Sequence, residues 1–415
     1  MNHKLKIGIC GWGNVATGLF EQLTKSNNES WELVCIGARR DNPHCDPGNI
    51  TIHRDIFEVI NDEIDVLVEL IGGTTTAKDL ISQALNAGKH VITANKAVIY
   101  EHGNELINLA KKNNVHLLFE ASVCAGTPVI KMLSNDLGAN QVSKISGMLN
   151  GTTNYILSNM ENGISYDVAL DEAKQKGYAE PDPSLDVNGT DAAHKIGILA
   201  SLALNSNLPA SDIYIEGIEN IAADDFNYVD EFNLTIKHLA VTKRVGNEIE
   251  LRSHPVLINK DSSLGGLSGV RNGIQIDTDL LGEFLIAGSG AGKESTASGL
   301  ISDLLALSKV SNSSPMNYPH FNDLPKIKPF ENLEFSYYVY LEVQDQAGVL
   351  ALVSQIFSDN EISIDKIVQK DHLPDGKVPV VVFTDLIKES QMQKALENFS
   401  AQTEIHSAKI IRIET

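Results

Sequence analysis

The sequence has few cysteines, and their placement limits the chemistry to expect. Its four cysteines, Cys10, Cys35, Cys45 and Cys124, form no CxxC pair and no familiar metal-ligand spacing. We therefore expect free thiols in a reducing compartment. The first residues lack the apolar core and small-residue cleavage site of a signal peptide, so the expected location is the cytoplasm.

Basic residues and long apolar runs are also scarce. There are 33 Lys and Arg residues against 54 Asp and Glu residues, a formal net charge of −21. Nucleic acids and anionic membrane surfaces repel such a chain, which favours a small-molecule partner. No apolar run approaches the roughly 20 residues that a membrane span needs. The sequence thus predicts binding to neither nucleic acid nor membrane.

The chain is too long for one ordinary domain, since it has 415 residues. Short apolar runs alternate with helical patterns in its first part, and they predict strands at residues 6–10, 31–37, 66–70, 90–93 and 116–119. Strands buried on both faces and separated by helices are typical of a parallel sheet. We therefore expect an α/β fold with a Rossmann doubly wound parallel sheet in residues 1–128.

The remaining sequence changes character twice. Residues 129–310 mix strand patterns with helices, which predicts an α+β domain with a largely antiparallel or mixed sheet. Residues 311–333 are rich in Ser, Asn and Pro at their start and are predicted to be a linker. In residues 334–415 the order β-α-β-β-α-β predicts a small ferredoxin-like domain.

The first predicted strand leads into a glycine-rich turn and a helix. The turn contains Gly11, Trp12, Gly13, Asn14, Val15 and Ala16. In this GxGxxG/A pattern the first glycine permits a tight turn, the second lets the backbone approach a pyrophosphate, and a small third residue lets helix and strand pack closely. An ordinary glycine-rich turn is the alternative, but the position between strand and helix favours a nucleotide site.

The end of the second predicted strand bears on the choice of nucleotide. An acidic residue there would bind the ribose of NAD, but the sequence has Arg39 and Arg40. Two arginines suit the 2′-phosphate of NADP, although a solvated charge pair would also explain them. Asp41 follows directly and could reach a ribose. NADP is the favoured cofactor, and NAD stays open.

Polar and small residues also follow the third and fourth predicted strands. Gly72 comes after the third strand, and Thr93, Asn95 and Lys96 come at the end of the fourth. Ligands of open α/β sheets bind at the carboxyl ends of the strands. These residues are therefore predicted to line the cofactor site, with Lys96 near the nicotinamide.

A second group of charged residues lies in the middle of the chain. Asp191 and Lys195 are four residues apart, which places them on one face of a helix. A surface salt bridge is the ordinary explanation. Glu180, Asp182 and Asp186 crowd a proline-containing loop just upstream. Because such carboxylates suit a substrate with an ammonium group, a substrate site is favoured.

These segments carry a resemblance to a known family. TANKA (93–97), FEASV (119–123), NGTTNYIL (150–157), GYAEPDPSLDVNGTDAAHK (177–195), IEGI (215–218) and GSGAG (288–292) followed by TAS resemble the motifs of homoserine dehydrogenases, in the family's order. The resemblance covers nearly the whole chain. It implies hydride transfer between NAD(P)H and L-aspartate 4-semialdehyde, giving L-homoserine for threonine, methionine and isoleucine biosynthesis.

The resemblance also implies roles for individual residues. Lys195 and Lys96 would be the catalytic lysines, with Lys195 as the favoured proton donor and acceptor and Asp191 supporting them. The substrate would be bound by Glu180, Asp186, Tyr178, Thr152 and Gly151, with Glu180 on its ammonium group. The cofactor would also be covered by Gly290, Gly292 and Glu294. A sodium ion would be held by Glu120 and by the carbonyl groups of Val123, Ala125 and Thr127.

Three other functions remain as alternatives. Cys124 stands where the family usually has a small residue, and an acylating semialdehyde dehydrogenase also uses a cysteine after a Rossmann domain. A packed thiol is the favoured interpretation. The chain could otherwise be a related NAD(P)-dependent dehydrogenase, or a non-catalytic regulator. The presence of Lys96, Asp191 and Lys195 disfavours the regulator.

The C-terminal residues resemble an ACT domain. The turn from Asp345 through Gly348 into a helix is the signature of that fold, although DQAG replaces the usual DxPG. ACT domains pair and bind amino acids, so threonine is the expected effector, and dimerisation alone is the alternative. The middle domain would also serve dimerisation. We expect a homo-oligomer, a dimer or a tetramer.

Overall fold

The computed structural model of the chain describes residues 4–25, 30–207, 213–309 and 325–414. The strands are β1 (Leu5–Cys10), β2 (Trp31–Gly37), β3 (Thr51–His53), β4 (Val66–Glu69), β5 (His90–Thr93), β6 (Leu117–Leu118), β7 (Val142–Met148), β8 (Tyr214–Ile215), β9 (Leu234–Val245), β10 (Glu248–Asn259), β11 (Arg271–Thr278), β12 (Gly282–Ser289), β13 (Lys326–Ile327), β14 (Glu334–Val343), β15 (Ile364–Gln369), β16 (Val378–Thr384), β17 (Ile387–Lys388) and β18 (Ile405–Ile413).

The helices vary in length from a single turn to several turns. They are α1 (Asn14–Lys25), α2 (Thr75–Asn86), α3 (Lys96–Lys112), α4 (Val129–Lys131), α5 (Gly151–Glu161), α6 (Tyr166–Gln175), α7 (Ser184–Val187), α8 (Thr190–Leu204), α9 (Ala223–Asp230), α10 (Lys293–Lys309), α11 (Val349–Asp359) and α12 (Glu389–Ser400). Short 3-10 turns lie at Ile56–Asn61, Glu120–Ser122 and Phe330–Asn332, and a π-helical turn lies at Met132–Asp136. Within the described ranges, no helix is long and apolar enough to cross a membrane.

Two compact units make up the chain. The first unit comprises Met1–Gly151, Asp191–Ser211 and Val270–Pro325, and the second comprises Thr152–Thr190, Asp212–Gly269 and Lys326–Thr415. This grouping differs from the linear division into domains at 1–128, 129–310 and 334–415, which stays a prediction. The predicted linker lies outside the described residues at 311–324. Its remainder, 325–333, is ordered structure, since β13 pairs with β10 in parallel.

A six-stranded parallel sheet forms the first part of the first unit. Its strand order is β3-β2-β1-β4-β5-β6. All its strand pairs are parallel, which confirms the predicted doubly wound arrangement. The order reverses between β1 and β4, and ligands bind at such a switch point beyond the carboxyl ends of the strands. The fold therefore brings the turns after β1 and β4 to one edge of the sheet.

The first unit also contains an antiparallel sheet in which β11 lies between β7 and β12. Helix α10 follows β12 and packs against α1. Gly18 of α1 makes this possible, because a Cβ atom there would lie 2.7 Å from Cγ of Lys293. The ammonium group of Lys293 also bonds the carboxylate of Glu21 at 2.6 Å. A late segment of the chain thus completes the layer of helices on the parallel sheet.

The second unit is built around a long antiparallel hairpin, β9 and β10. Strand β10 also pairs in parallel with β8, β13 and β18, so the predicted mixed sheet is confirmed. The C-terminal strands follow the order β18-β14-β16-β15, and α11 and α12 connect them. Helix α11 buries Val349, Val353, Ile356 and Phe357, which share one helical face. This is the predicted ferredoxin-like topology.

A buried ionic network lies at the base of that C-terminal sheet. The guanidinium group of Arg412, which is 2% exposed, donates to both carboxylate oxygens of Glu389 at 2.8 and 2.7 Å. It also donates to Glu216 at 2.7 Å, and the hydroxyl of Tyr337 donates to Glu389 at 2.6 Å. Burial alone would raise the pKa of Glu389, but the contact with Arg412 outweighs it and lowers that pKa.

Replacing Arg412 with Met should therefore destabilise the protein strongly. The variant would leave Glu389 ionised and buried without its partner, which costs about 3–5 kcal/mol of unfolding free energy. Thermal and urea unfolding of wild type and variant would measure the loss. The matched control is the double variant Arg412→Met/Glu389→Leu, which should recover most of the stability. A double variant as unstable as the single one would contradict the role assigned to the buried charge.

Candidate active site

The turn after β1 has the backbone shape that a dinucleotide requires. Gly11 has φ of 100°, and a Cβ atom there would collide with the carbonyl oxygen of Leu70. Gly13 differs, because a Cβ atom there would meet nothing within 4 Å. The first glycine thus serves the packing of the turn, and the second keeps the backbone open to a ligand. Asn14, Val15 and Ala16 begin α1, as predicted.

Two cavities line this edge of the parallel sheet. The first has a volume of about 400 Å³, and its lining includes Gly11, Gly13, Arg39, Arg40 and Gly72. The second has about 380 Å³, and its lining includes Val15, Gly72, Asn95, Lys96 and Lys195. Both linings contain Gly72. An open Gly13 backbone, an arginine pair and adjoining space fit a nicotinamide dinucleotide.

Arg54 is a residue of this region that the sequence analysis missed. Its guanidinium group donates to the carboxylate of Asp41 at 2.6 Å and to the carbonyl oxygen of Ala38 at 3.3 Å. Asp41, the alternative ribose partner, is therefore engaged by a cation of the protein itself. Arg54 lies just after β3, a three-residue strand that the apolar pattern did not reveal.

Glu69 is a second missed residue, and it organises the turns after β4 and β5. Its fully buried carboxylate accepts hydrogen bonds from the hydroxyl of Thr93 at 2.5 Å and from the amide of Ile71 at 2.8 Å. The amide of Asn95 donates to the same hydroxyl of Thr93 at 2.9 Å, and the side chain of Asn95 donates to the carbonyl oxygen of Gly73 at 2.7 Å. Burial raises the pKa of Glu69. A carboxylate inside a strand buried on both faces was the signal to notice.

Two lysines share one buried carboxylate. Asp191 and Lys195 are 7% and 9% exposed, so the surface salt bridge considered above is excluded. The ammonium group of Lys195 lies 2.7 Å from Oδ2 of Asp191, and that of Lys96 bonds Oδ1. The side-chain amide of Asn150 donates to Oδ2 at 2.9 Å. The structure thus brings the three predicted catalytic residues together in the first unit.

The N-termini of α3 and α8 position the lysines and the aspartate of this site. Asn95 caps α3 by accepting a hydrogen bond from the amide of Val98, which puts Lys96 at the first helical position. Asp191 lies in the first turn of α8, where the helix dipole stabilises an anion. Burial alone would raise the pKa of Asp191, but the charges of Lys195 and Lys96 outweigh it and hold that pKa below its usual range. Asp191 therefore stays ionised and keeps both ammonium groups in place.

Asn272 on β11 is a third residue that the sequence analysis missed. Its side-chain amide donates to the carbonyl oxygen of Leu149 at 2.9 Å, the same oxygen that accepts from Lys195 at 2.7 Å. It also donates to the thiol of Cys124 at 3.2 Å. Gly290 leaves room for this amide, because a Cβ atom there would overlap it. An isolated Asn in a strand has no motif, so only the fold reveals this contact.

Cys124 has the environment of a packed thiol. It is fully buried, and burial raises its pKa. It accepts the hydrogen bond of Asn272 at a backbone φ of 55°. A nucleophilic cysteine needs an accessible thiolate with a lowered pKa. The geometry therefore disfavours the acylating dehydrogenase.

The predicted cation loop follows β6. Both carboxylate oxygens of Glu120 accept backbone hydrogen bonds at 2.9 Å, from the amides of Ile130 and Lys131. Burial, with the nearby carboxylate of Asp303, raises the pKa of Glu120 to about 7. Ala125 has φ of 47° and follows the left-handed Cys124, so the loop between Val123 and Thr127 turns sharply. The carboxylate of Glu120 is thus already used to hold the start of α4.

The remaining predicted residues fall into two places. In the first unit, Gly292 has φ of 114° and Glu294 lies in the first turn of α10. In the second unit, Tyr178 and Glu180 are exposed and Asp186 is half-buried. The hydroxyl of Thr152 donates to the carbonyl oxygen of Tyr178 at 2.6 Å. A role of these second-unit residues in substrate binding stays a prediction.

Family models match the chain in three consecutive segments. The model described as homoserine dehydrogenase, NAD binding domain, matches residues 11–120, and the model described as homoserine dehydrogenase matches residues 128–305. The ACT domain model matches residues 337–401. The order is the one predicted from the sequence.

Relatives and solved structures resemble the chain over its length. A homoserine dehydrogenase from Pseudomonas aeruginosa is 41% identical over 99% of this chain and 98% of its own, and one from Helicobacter pylori is 38% identical over 100% of both. The crystal structure of a homoserine dehydrogenase from Thiobacillus denitrificans matches with a TM-score of 0.91 at 34% identity, covering 99% of this chain and 98% of that one. A hyperthermophilic archaeal homoserine dehydrogenase mutant in complex with NADPH matches with a TM-score of 0.64 at 28% identity, covering 75% and 99%. By these matches, the chain belongs to the homoserine dehydrogenase family.

Proposed function

We propose that the lysine pair on Asp191 performs the proton transfer of the homoserine dehydrogenase reaction, with Lys195 as proton donor and acceptor. The observation that carries this proposal is the buried carboxylate that binds both ammonium groups in the wall of a cavity. The chain is an NAD(P)-dependent oxidoreductase of L-homoserine and L-aspartate 4-semialdehyde. The proposal therefore concerns the residues that donate and accept the proton in this reaction.

Lys195 suits this task because two acceptors hold its ammonium group. Asp191 and the carbonyl oxygen of Leu149 accept from it at 2.7 Å each. An ammonium group fixed in this way stabilises the developing alkoxide when the aldehyde is reduced, and it donates the proton that completes the alcohol. In the oxidation of homoserine the neutral amine takes the hydroxyl proton. Lys96 adds a second positive charge to the site.

The proposed cofactor site lies at the carboxyl ends of the parallel strands. The nicotinamide dinucleotide supplies or accepts the hydride when it is bound. Gly11, Gly13 and the start of α1 would hold its pyrophosphate, because the backbone at Gly13 is open and the helix N-terminus offers amide hydrogens. Thr93, Asn95 and the loop at Gly72, organised by Glu69, would line the nicotinamide end. In our proposal Gly290, Gly292 and Glu294 cover this site.

NADP is the proposed cofactor. Arg39, Arg40 and Asp41 all line the first cavity, and of these Asp41 is already paired with Arg54. A carboxylate that is already paired with an arginine is a poor partner for the ribose hydroxyls of NAD. The two arginines can pair with a 2′-phosphate, which carries more charge than a hydroxyl.

The proposed substrate and cation sites rest on the family. Glu180 would bind the substrate ammonium group, with Asp186, Tyr178, Thr152 and Gly151 completing the substrate site. A sodium ion would be bound by the carboxylate of Glu120 and the backbone carbonyl oxygens of Val123, Ala125 and Thr127, a donor set suited to a hard cation. Glu120 would support this loop through its hydrogen bonds to the start of α4.

The proposed regulation concerns the C-terminal domain. Gly348 has φ of 96° and begins α11, the turn that carries ligands in related domains. We propose an amino-acid effector, threonine, at this domain in a cytoplasmic homo-oligomer, either a dimer or a tetramer. Dimerisation without an effector is the alternative, because DQAG departs from the usual turn sequence.

Replacing Lys195 with Ala should lower kcat for homoserine oxidation by about 10²–10⁴-fold, the range for loss of a general acid–base group. NADPH formation followed by absorbance would measure it, and fluorescence titration would show whether cofactor binding is retained. Lys195→Arg is the matched control, since it keeps the positive charge but cannot release a proton at working pH. Turnover that survives both substitutions would move the proton transfer to Lys96 or to water.

Replacing Asn272 with Ala should lower kcat by about 10–100-fold, because a lost buried hydrogen bond of about 1–3 kcal/mol would loosen the Leu149 carbonyl that holds Lys195. KM for NADP should change little. Cys124→Ala is the control, since it removes the other acceptor of the Asn272 amide and leaves the Leu149 contact in place. Loss of turnover in Cys124→Ala in a stable, folded protein would instead revive a catalytic cysteine.

Replacing Arg39 and Arg40 together with Ala should raise KM for NADP by about 10–100-fold, since a hydrogen bond to a charged group is worth about 1.5–3 kcal/mol. KM for NAD should rise much less, because NAD lacks the 2′-phosphate. Initial rates with both cofactors would measure the change. Arg54→Ala is the control, and we expect it to leave KM for NADP nearly unchanged while freeing Asp41. Equal weakening of both cofactors by the double substitution would contradict the assignment.

A further inference from the structure

Three side chains that could bind a metal meet beside β2 and the outer strand β3 of the parallel sheet. Cys35 lies on β2, His53 lies on the neighbouring β3, and Asp62 follows the 3-10 turn Ile56–Asn61. The thiol sulfur, a ring nitrogen and a carboxylate oxygen lie within 4.8 Å of one another. They come from three separate segments of the chain, so the fold and not a sequence motif assembles them.

The chemistry of this cluster suits zinc. Zinc accepts thiolate, imidazole and carboxylate ligands at about 2.0–2.3 Å in a tetrahedral arrangement. Ligand atoms of such a site are about 3.3–3.8 Å apart, so a modest movement would close the cluster around an ion. The side chain of Asp62 is 31% exposed and that of His53 is 18% exposed. Those two can adjust and leave an entry path, while Cys35 is fully buried.

A fourth residue strengthens the case for a metal ligand. Nδ1 of His53 lies 3.2 Å from the carboxylate of Glu58, and Nε2 lies 2.7 Å from the carboxylate of Asp62. A histidine that binds a metal through one nitrogen usually donates its other ring N–H to a carboxylate, which fixes the tautomer. Glu58 is placed to accept that hydrogen bond, and Nε2 then faces Asp62.

We propose that Cys35, His53 and Asp62 bind a zinc-class divalent cation, with Glu58 orienting His53 and a water molecule as the fourth ligand. The hydrogen bond between His53 and Asp62 raises the pKa of His53 and lowers that of Asp62, and burial together with Asp62 raises the pKa of the Cys35 thiol. A metal ion therefore has to displace the thiol proton of Cys35 and any proton on His53, so binding should release protons and strengthen as the pH rises. This site is distinct from the proposed sodium loop, which offers only oxygen ligands.

The ion would join three segments next to the nucleotide cavity. Strand β2 leads directly to Arg39 and Arg40, and Ile56 of the 3-10 turn also lines that cavity. A ligand that binds only the folded state stabilises it by mass action. Zinc should therefore raise the melting temperature of the whole chain, and this readout does not depend on turnover.

Cobalt titration of the full-length, chelator-treated protein tests the site, because Co²⁺ reports thiolate ligands through a near-ultraviolet charge-transfer band. We expect one Co²⁺ per chain, the band, and its loss when Zn²⁺ is added. Cys35→Ser and His53→Gln should abolish the band. Cys124→Ala, which removes a buried thiol elsewhere, should keep it.

Glu58→Gln is the second variant, since this partly exposed residue can change without affecting the core. It should weaken Co²⁺ binding by about 10–100-fold, the usual effect of losing an outer hydrogen-bond partner. Absence of the band in folded wild type would overturn the proposal and leave His53 as an imidazolium paired with two carboxylates. A band that persists in Cys35→Ser would overturn it as well.

Discussion

One buried carboxylate, Asp191, must neutralise two ammonium groups, and much of the first unit is arranged to meet that requirement. Two lysines and one aspartate leave a net positive charge, and Asp191 and Lys195 are buried, which is costly unless their hydrogen bonds are made. The start of α3 supplies Lys96, the start of α8 supplies Asp191 and Lys195, and the chain after β7 supplies Asn150 and a carbonyl oxygen. Asn272 secures that carbonyl from β11. The carboxylate of Asp191, the backbone carbonyl group and the side-chain amides thus hold the two lysines together.

A buried carboxylate also organises the edge of the parallel sheet where the nucleotide is proposed to bind. Glu69 is buried at the end of β4, and its two oxygens bind Thr93 and the backbone at Ile71. Thr93 in turn fixes Asn95, which caps the helix that begins with Lys96. A continuous chain of hydrogen bonds therefore runs from the sheet to the start of the helix that carries Lys96, a proposed catalytic lysine. Because the carboxylate is buried, its geometry depends little on solvent and salt.

The sequence was sufficient for the architecture and for the residues that belong to motifs. Strands β2 and β5 have the predicted bounds, since their apolar runs are short and sharply ended. Gly11, Gly13, Lys96, Asp191 and Lys195 were identified through spacing and family pattern. Glu69, Arg54 and Asn272 were not, because their importance comes from contacts between distant segments. A single polar residue in a strand has no periodicity, and its partner becomes visible only in the folded chain.

The packing of α10 on α1 has a consequence for how this protein can be divided. Gly18 leaves room for Lys293, and Asp303 of α10 accepts the backbone amide of Glu120 and pairs with Lys131. A helix encoded much later in the gene, α10, thus completes the helical layer that covers the nucleotide-binding sheet. A fragment that ends before α10 would expose the side of α1 that α10 covers and leave the amide of Glu120 without its acceptor. Recombination that exchanges this cofactor module between enzymes must therefore carry two separate coding segments, not one.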